Sequence, residues 1–239
     1  MERQTEDTAV VVGRAFASLR PPSTMDAAVS ALREAIVRGD IAPGSRLVES
    51  ALTESMGVSR NTIREVFRLL ETERLIEHVT NRGVFVRRLT ASDVTDVYAV
   101  RLLIEVNALR RAGESSGRAR RVAVHEMREA IEAGRTAIRE KDKWGLGFAD
   151  LNFHAAIAGL SESPRLIQFM AGLKTELRLA FAATNDVLDF QHPYVERNQK
   201  VYELFLAEDF DGAADELERY LSEAKADLLD RLERARVTE

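Results

Sequence analysis

The residues best equipped for chemistry fall in a few short stretches. The first reads Ser59, Arg60, Asn61, Thr62, Ile63, Arg64. Arg pairs bidentately with guanine and Asn with adenine, while Ser and Thr hydroxyls suit phosphate oxygens. Further on, Asn81-Arg82-Gly83 offers one more arginine on a turn. The plain alternative is an Arg-rich amphipathic helix whose charges are simply solvated, and for a lone helix that alternative is favoured. The second stretch, Asp150-Leu151-Asn152-Phe153-His154, places a carboxylate and an imidazole one helical turn apart, a spacing that can share a metal ion. Two ligands do not make a metal site, and the same spacing describes a hydrogen-bonded pair on a half-buried helix. Arg101 and Glu105 are also one turn apart. They read either as an intrahelical ion pair worth roughly a few tenths of a kcal/mol or, if Arg101 faces a cavity, as a carboxylate-binding arginine. Arg178 is a weaker candidate of the same kind.

Catalytic signatures are missing. The chain has no P-loop, no dinucleotide-binding glycine fingerprint, no H-E-x-x-H and no G-x-S-x-G, and with zero cysteines it has neither thiol nucleophiles nor thiolate metal sites. An enzyme is not expected.

The elements that must hold these residues follow from periodicity and punctuation. Residues 1–24 show no sustained period and carry Pro21-Pro22, which reads as a loose arm ending where Ser23, Thr24 or Asp26 can cap a helix. Val29, Leu32, Ile36 and Val37 then mark one helix, stopped by Gly39-Asp40 and followed by the turn at Pro43-Gly44. A second short helix is expected from Leu47 to Met56, closed by Gly57. A third, capped by Ser59, buries Ile63, Val66, Phe67 and Leu70. The β-rich runs Leu75–Val79 and Val84–Arg88 flank Thr80–Gly83 as a hairpin whose tip can act as a wing. Beyond Ser92 the period is helical, with breaks near 113–117, 141–143, 161–164, 189–193 and 208–212, giving about six helices. Phe153, Phe169, Phe181, Phe190 and Phe205 read as their core. His192, beside Pro193, is read as a loop histidine.

Composition agrees with a folded protein: 239 residues, 45% hydrophobic, 31% charged, 13 Gly and 5 Pro. The net charge of −5 is uneven, since residues 56–88 hold seven Arg against four Glu inside an otherwise acidic chain. The preference for Arg over Lys, 29 to 5, points first to codon bias. No apolar run approaches the ~20 residues of a membrane span, and the acidic N-terminus is unlike a signal peptide. A cytoplasmic location is expected, without membrane attachment.

Residues 25–89 resemble the winged helix-turn-helix of the GntR family of bacterial transcription regulators. The resemblance is carried by Ile36-Val37-Arg38-Gly39, Ala42-Pro43-Gly44-Ser45-Arg46-Leu47, Gly57 through Val66, and Asn81-Arg82-Gly83, in matching order and spacing. It implies operator contacts at Ser59, Arg60, Asn61, Thr62 and Arg64, and at the wing around Arg82. Three positions depart from the usual pattern: Ser50 and Asn61 stand where Arg and Thr are common, and Arg74 stands where Gly is frequent. Residues 91–232 resemble, more weakly, the all-helical FCD effector domain of the FadR-like branch, through Arg101–Glu105, Asp150–His154, Glu208-Asp209-Phe210 and Ala213. In metal-binding members two further histidines complete the Asp and His pair. Asn198 and Tyr220 occupy those positions here, and an amide and a phenol are poor ligands for a zinc-like ion.

The expected fold is therefore mainly α: an arm (1–24), a winged helix-turn-helix of three helices and a hairpin (25–89), and an all-helical domain (90–239). The expected function is a homodimeric regulator, a repressor by sign, that binds a double-stranded operator with a short inverted repeat. Its affinity would be set by a small organic acid held by Arg101, Asp150, His154, Asn198 and Tyr220. No cofactor is firmly expected; a divalent metal held weakly through Asp150 and His154 is the one candidate. Two other readings stay open, a metal- or ligand-binding helical protein tethered to DNA by its N-terminal module, and a regulator whose C-terminal domain only dimerises.

Overall fold

The computed structural model describes residues 23–184 and 187–237, so most of the N-terminal arm lies outside the described residues. The first helix, α1 (Thr24–Val37), starts inside the stretch read as arm. Ser23 caps it in a reciprocal box with Asp26. Its buried Val29, Leu32 and Ile36 pack toward α3 (Arg60–Thr72), which turns Ile63, Val66, Phe67 and Leu70 inward. Between them lies α2 (Glu49–Met56), which ends at Gly57 in the left-handed conformation, φ 63°, that a glycine adopts without steric cost.

Two sequence expectations shift here. The second helix begins at Glu49 rather than Leu47, because Arg46–Leu47 forms a strand, β1. β1 pairs antiparallel with β3 (Gly83–Val86), which in turn pairs with β2 (Ile76–Val79), so the hairpin becomes a three-stranded sheet of order β1-β3-β2. A two-residue strand carries too little periodicity to register in sequence, and its partner lies almost forty residues away.

Six helical rods follow among the described residues. The first is composite: α4 (Ala91–Arg101), a π-helical turn (Leu102–Val106) and α5 (Asn107–Arg110). Then come α6 (Gly117–Glu140), α7 (Lys143–Gly159), α8 (Pro164–Ala182), α9 (Val187–Leu206) and α10 (Phe210–Val237). The break expected at 189–193 lies instead within α9. Pro193 removes one main-chain donor near the start of that helix, but Phe190, Tyr194, Val195, Val201 and Phe205 continue one buried face across it. His192 is accordingly an exposed helical residue, not a loop histidine. Phe153, Phe181, Phe190 and Phe205 are core as expected, whereas Phe169 is 52% exposed.

The two halves share one apolar core and meet at a polar seam. Glu176 of α8, buried, accepts a 2.7 Å hydrogen bond from Arg87, which also pairs with Asp93 at 2.5 Å, and lies 3.5 Å from Arg74. Arg74 closes α3 with φ 58°, which explains why glycine serves well at this position.

Candidate functional site: an exposed basic helix and a buried ionic cluster

The Ser59 hydroxyl accepts from the Thr62 amide at 3.1 Å and contacts the Thr62 hydroxyl at 2.9 Å, so these two residues first build the start of α3. Inward burial of Ile63, Val66 and Phe67 leaves Arg60, Asn61, Arg64 and Arg68 on the outer surface. Arg64 is steadied by Glu49 of α2 at 3.2 Å, with most of its side chain in solvent. On the wing, Asn81 adopts φ 61° and Arg82 sits over the Phe85 ring at 5.7 Å. Arg46, which sequence reasoning did not single out, crosses the root of the wing: a Cβ on Gly83 would stand 3.4 Å from its Nε. Only the pairing of β1 with β3 brings it there. The recognition helix and the wing thus each expose arginine and amide groups, the chemistry that a phosphate backbone and base edges require.

In the helical half, four rods converge on the second cluster. Arg101 closes α4 and Glu105 lies in the π turn; Asp150 and His154 come from α7, Asn198 from α9 and Tyr220 from α10. All six are buried. Arg101 Nε donates to Glu105 Oε1 at 2.8 Å, and the guanidinium also lies 4.9 Å from the Tyr98 ring centre. Glu105 Oε2 is 2.5 Å from His154 Nδ1, and His154 Nε2 is 2.6 Å from the Tyr220 hydroxyl. That hydroxyl donates to Asp150 Oδ1 at 3.0 Å, which also accepts from Asn198 Nδ2 at 3.2 Å.

The hydrogens can be assigned from this pattern. Tyr220 spends its single hydrogen on Asp150, so His154 Nε2 must donate to it; Glu105 is a carboxylate, so Nδ1 must donate as well. His154 is therefore an imidazolium. Burial by itself would lower its pKa, as would Arg101, but Glu105 and Asp150 outweigh both and raise it. Burial works against Glu105 and Asp150 too, yet Arg101 and His154 hold both carboxyls below their ordinary values. Burial and Asp150 push the Tyr220 hydroxyl well up, keeping it protonated. Two cations and two carboxylates close the cluster at neutrality.

Two buried polar atoms in this cluster have no hydrogen-bond partner, Arg101 Nη2 and Asn198 Oδ1. A donor and an acceptor left open beside a neutral network suit an organic ligand with a carboxylate and a hydroxyl. They do not suit a divalent ion. Both imidazole nitrogens carry hydrogen that a metal would have to displace, the Asp150 and Glu105 carboxylates are already engaged by Tyr220, Asn198, Arg101 and His154, and the other two groups are an amide and a phenol. Among the described residues no three His, Asp or Glu side chains are grouped to hold a metal.

The five residues expected around an effector are thus brought together. Glu105, known from sequence only as an ion-pair partner of Arg101, and Tyr98 join them. The π turn that aims Glu105 at His154 has no sequence signature. Arg178 is elsewhere, stacked on Phe148.

A capped basic helix with a wing, joined to a helical bundle around a buried charged cluster, defines a regulator of the winged-helix class. The chain belongs to the GntR family of bacterial regulatory proteins, which matches residues 24–86, and its helical half is an FCD domain, matched over residues 96–223. It is 30% identical over 175 residues to the galactonate operon transcriptional repressor of Escherichia coli (strain K12), a match covering 66% of this chain and 76% of that protein. It is 40% identical over 74 residues to the HTH-type transcriptional regulator YdhC of Bacillus subtilis (strain 168), but this match covers only 31% of the chain and 33% of YdhC. A solved structure of a transcriptional regulator GntR from Rhodococcus sp. RHA1 is 34% identical with a TM-score of 0.79, covering 87% of this chain and 98% of that one. The family consists of transcriptional regulators and not of enzymes. No helix among the described residues is long and apolar enough to cross a membrane.

Proposed function

We propose that this regulator acts in the cytoplasm as a homodimeric repressor. It reads a short inverted repeat in double-stranded DNA through Ser59, Arg60, Asn61, Thr62 and Arg64, and its wing reaches the adjacent backbone through Arg82. A small organic acid held by Arg101, Asp150, His154, Asn198 and Tyr220 sets its affinity for the operator. The observation that carries the effector half is the buried Arg101 Nη2, an N–H of a charged group with no acceptor. A ligand carboxylate would complete its hydrogen bonding. Repression and an organic-acid pathway are supported by the likeness to the galactonate operon repressor.

Dimerisation is supported by apolar side chains that are exposed among the described residues. Leu103, 74% exposed, stands on the composite rod, and Leu166, Ile167 and Phe169 stand on α8. Between these two elements run clefts of about 510 and 380 Å³. Exposed apolar side chains this close together mark an association surface. Two-fold symmetry would present two α3 helices to two half-sites. Ligand-dependent movement of the composite rod would reach the winged helix through Asp93, Arg87 and Glu176.

The test is selection of genomic fragments by the purified protein at near-physiological salt, with an Arg60→Ala, Arg64→Ala double variant as control. Enrichment of an inverted repeat by wild type alone is the expected result. Equal, unselected retention by both proteins would remove α3 as the reading element.

A further inference from the structure

Lys174 and Arg178 stand one turn apart on α8, half-buried, and among the described residues neither is paired with a carboxylate. The Arg178 guanidinium lies flat on Phe148 of α7, its Cζ 3.2 Å from the ring centre, and its Nε is buried without an acceptor. Lys174 donates to the side-chain oxygen of Asn152. Several other arginines drawn from solvent are matched by acids: Arg33 by Glu73, Arg87 by Glu176, Arg101 by Glu105, Arg197 by Glu216 and Arg231 by Asp227. Burial pushes Arg178 down to about 10. Burial, with the charge of Arg178 next to it, also lowers Lys174. Two desolvated like charges side by side are unfavourable unless an anion joins them.

The surroundings suit a small anion. Arg178 lines a gap with Val37 of α1, Trp144, Gly147 and Phe148 of α7, and Phe181 of α8; at about 10 Å³ it has room for one water-sized group. The gap opens at the seam where the winged helix meets the helical bundle. It is distinct from the buried ionic cluster, since Phe148 precedes Asp150 by two residues and so lies on the opposite flank of α7.

We propose that Lys174 and Arg178 form a second binding site, for the oxyanion group of a small metabolite, a carboxylate or a phosphate. With its face on Phe148, the guanidinium presents its edge, and an N–H fork there grips two oxygens of one anion. Lys174 supplies a second point of attachment, and one oxygen of the ligand enters the gap. Since Val37 and Trp144 share that gap, an anion bound there contacts residues of both halves of the chain.

The chain's single tryptophan, Trp144, is a built-in reporter. Sodium phosphate and sodium succinate are titrated separately into the full-length protein at constant ionic strength, with Trp144 emission as the readout. A saturable change is expected for at least one of them, with half-saturation weakened by at least about tenfold in a Lys174→Gln, Arg178→Gln double variant. The charge-preserving Arg178→Lys variant, which keeps the fold-supporting cation but loses the fork, is expected to fall between. Arg128→Gln, which removes an exposed cation on α6 away from both clusters, is expected to leave the titration unchanged. No saturable change with either ion, or equal half-saturation in wild type and the double variant, would overturn the proposal. So would abolition of the signal by Tyr220→Phe, which would place the anion at Arg101, or a response confined to an added DNA duplex, which would assign the two cations to backbone phosphates.

Discussion

The Tyr220 hydroxyl stands 2.6 Å from Nε2 of His154 and hands its own hydrogen to Asp150. This one contact ties α7 to α10 and occupies the imidazole nitrogen that a metal would otherwise use. It also balances the charge of the cluster, in which a donor on Arg101 and an acceptor on Asn198 have no hydrogen-bond partner.

Tyr220→Phe keeps the ring stacked on Tyr194, whose centre is 5.2 Å away, and removes only the bridging hydroxyl. His154 Nε2 is then left without an acceptor and Asp150 loses one donor. A loss of about 1–3 kcal/mol is expected, read from urea denaturation at pH 6. An unchanged midpoint would show that the bridge contributes nothing.

The cluster should also write a pH profile for stability. His154 is raised in the folded protein, so its contribution is complete below its ordinary value of 6.5 and is lost as pH rises through the folded value. Glu105 and Asp150 are lowered, so theirs is complete above their ordinary 4.5 and 3.8 and is lost as pH falls through the folded values. The denaturation midpoint is expected to be highest between about pH 4.5 and 6.5 and to fall on the alkaline side. A midpoint that climbed steadily from pH 6 to 9 would refute the imidazolium assignment.

Arg82→Ala on the wing should weaken binding to every DNA sequence alike, because a backbone contact positions without specifying. The slope of log affinity against log salt is expected to drop by about one unit. A change in sequence preference with an unaltered slope would instead make Arg82 a base-reading residue.

At Gly39 the backbone is left-handed, φ 72°, and a Cβ would meet the Trp144 ring at 2.8 Å. Gly39→Ala therefore strains the backbone and pushes the winged helix away from α7. A cost of about 1–3 kcal/mol is expected, with a shift in Trp144 emission that thermal unfolding monitored at the same wavelength would record. Wild-type stability and emission in the variant would mean that the seam yields without cost.

Much of the molecule was determined by the order of residues alone. Gly57 between two apolar-periodic stretches, the Ser59 cap, and Ile63, Val66, Phe67 and Leu70 on one face dictate α3 and leave Arg60, Asn61 and Arg64 outside. These are local effects, in which caps, turns and a 3.6-residue period act within a few positions. For the same reason the Asp150 and His154 spacing was legible as a pair sharing one face. Tertiary structure decided what that pair became. The π turn that swings Glu105 onto His154, the arrival of Asn198 and Tyr220 from α9 and α10, and the β1–β3 pairing that sets Arg46 beside the wing all depend on contacts between residues tens of positions apart. Phe169 shows the reverse case, an apolar residue in helical phase that the bundle leaves on its surface. Whether a charge is solvated, paired or left open for a ligand depends on how deeply the surrounding helices bury it and which side chains they bring within about 3 Å, and no spacing along a single helix carries that information.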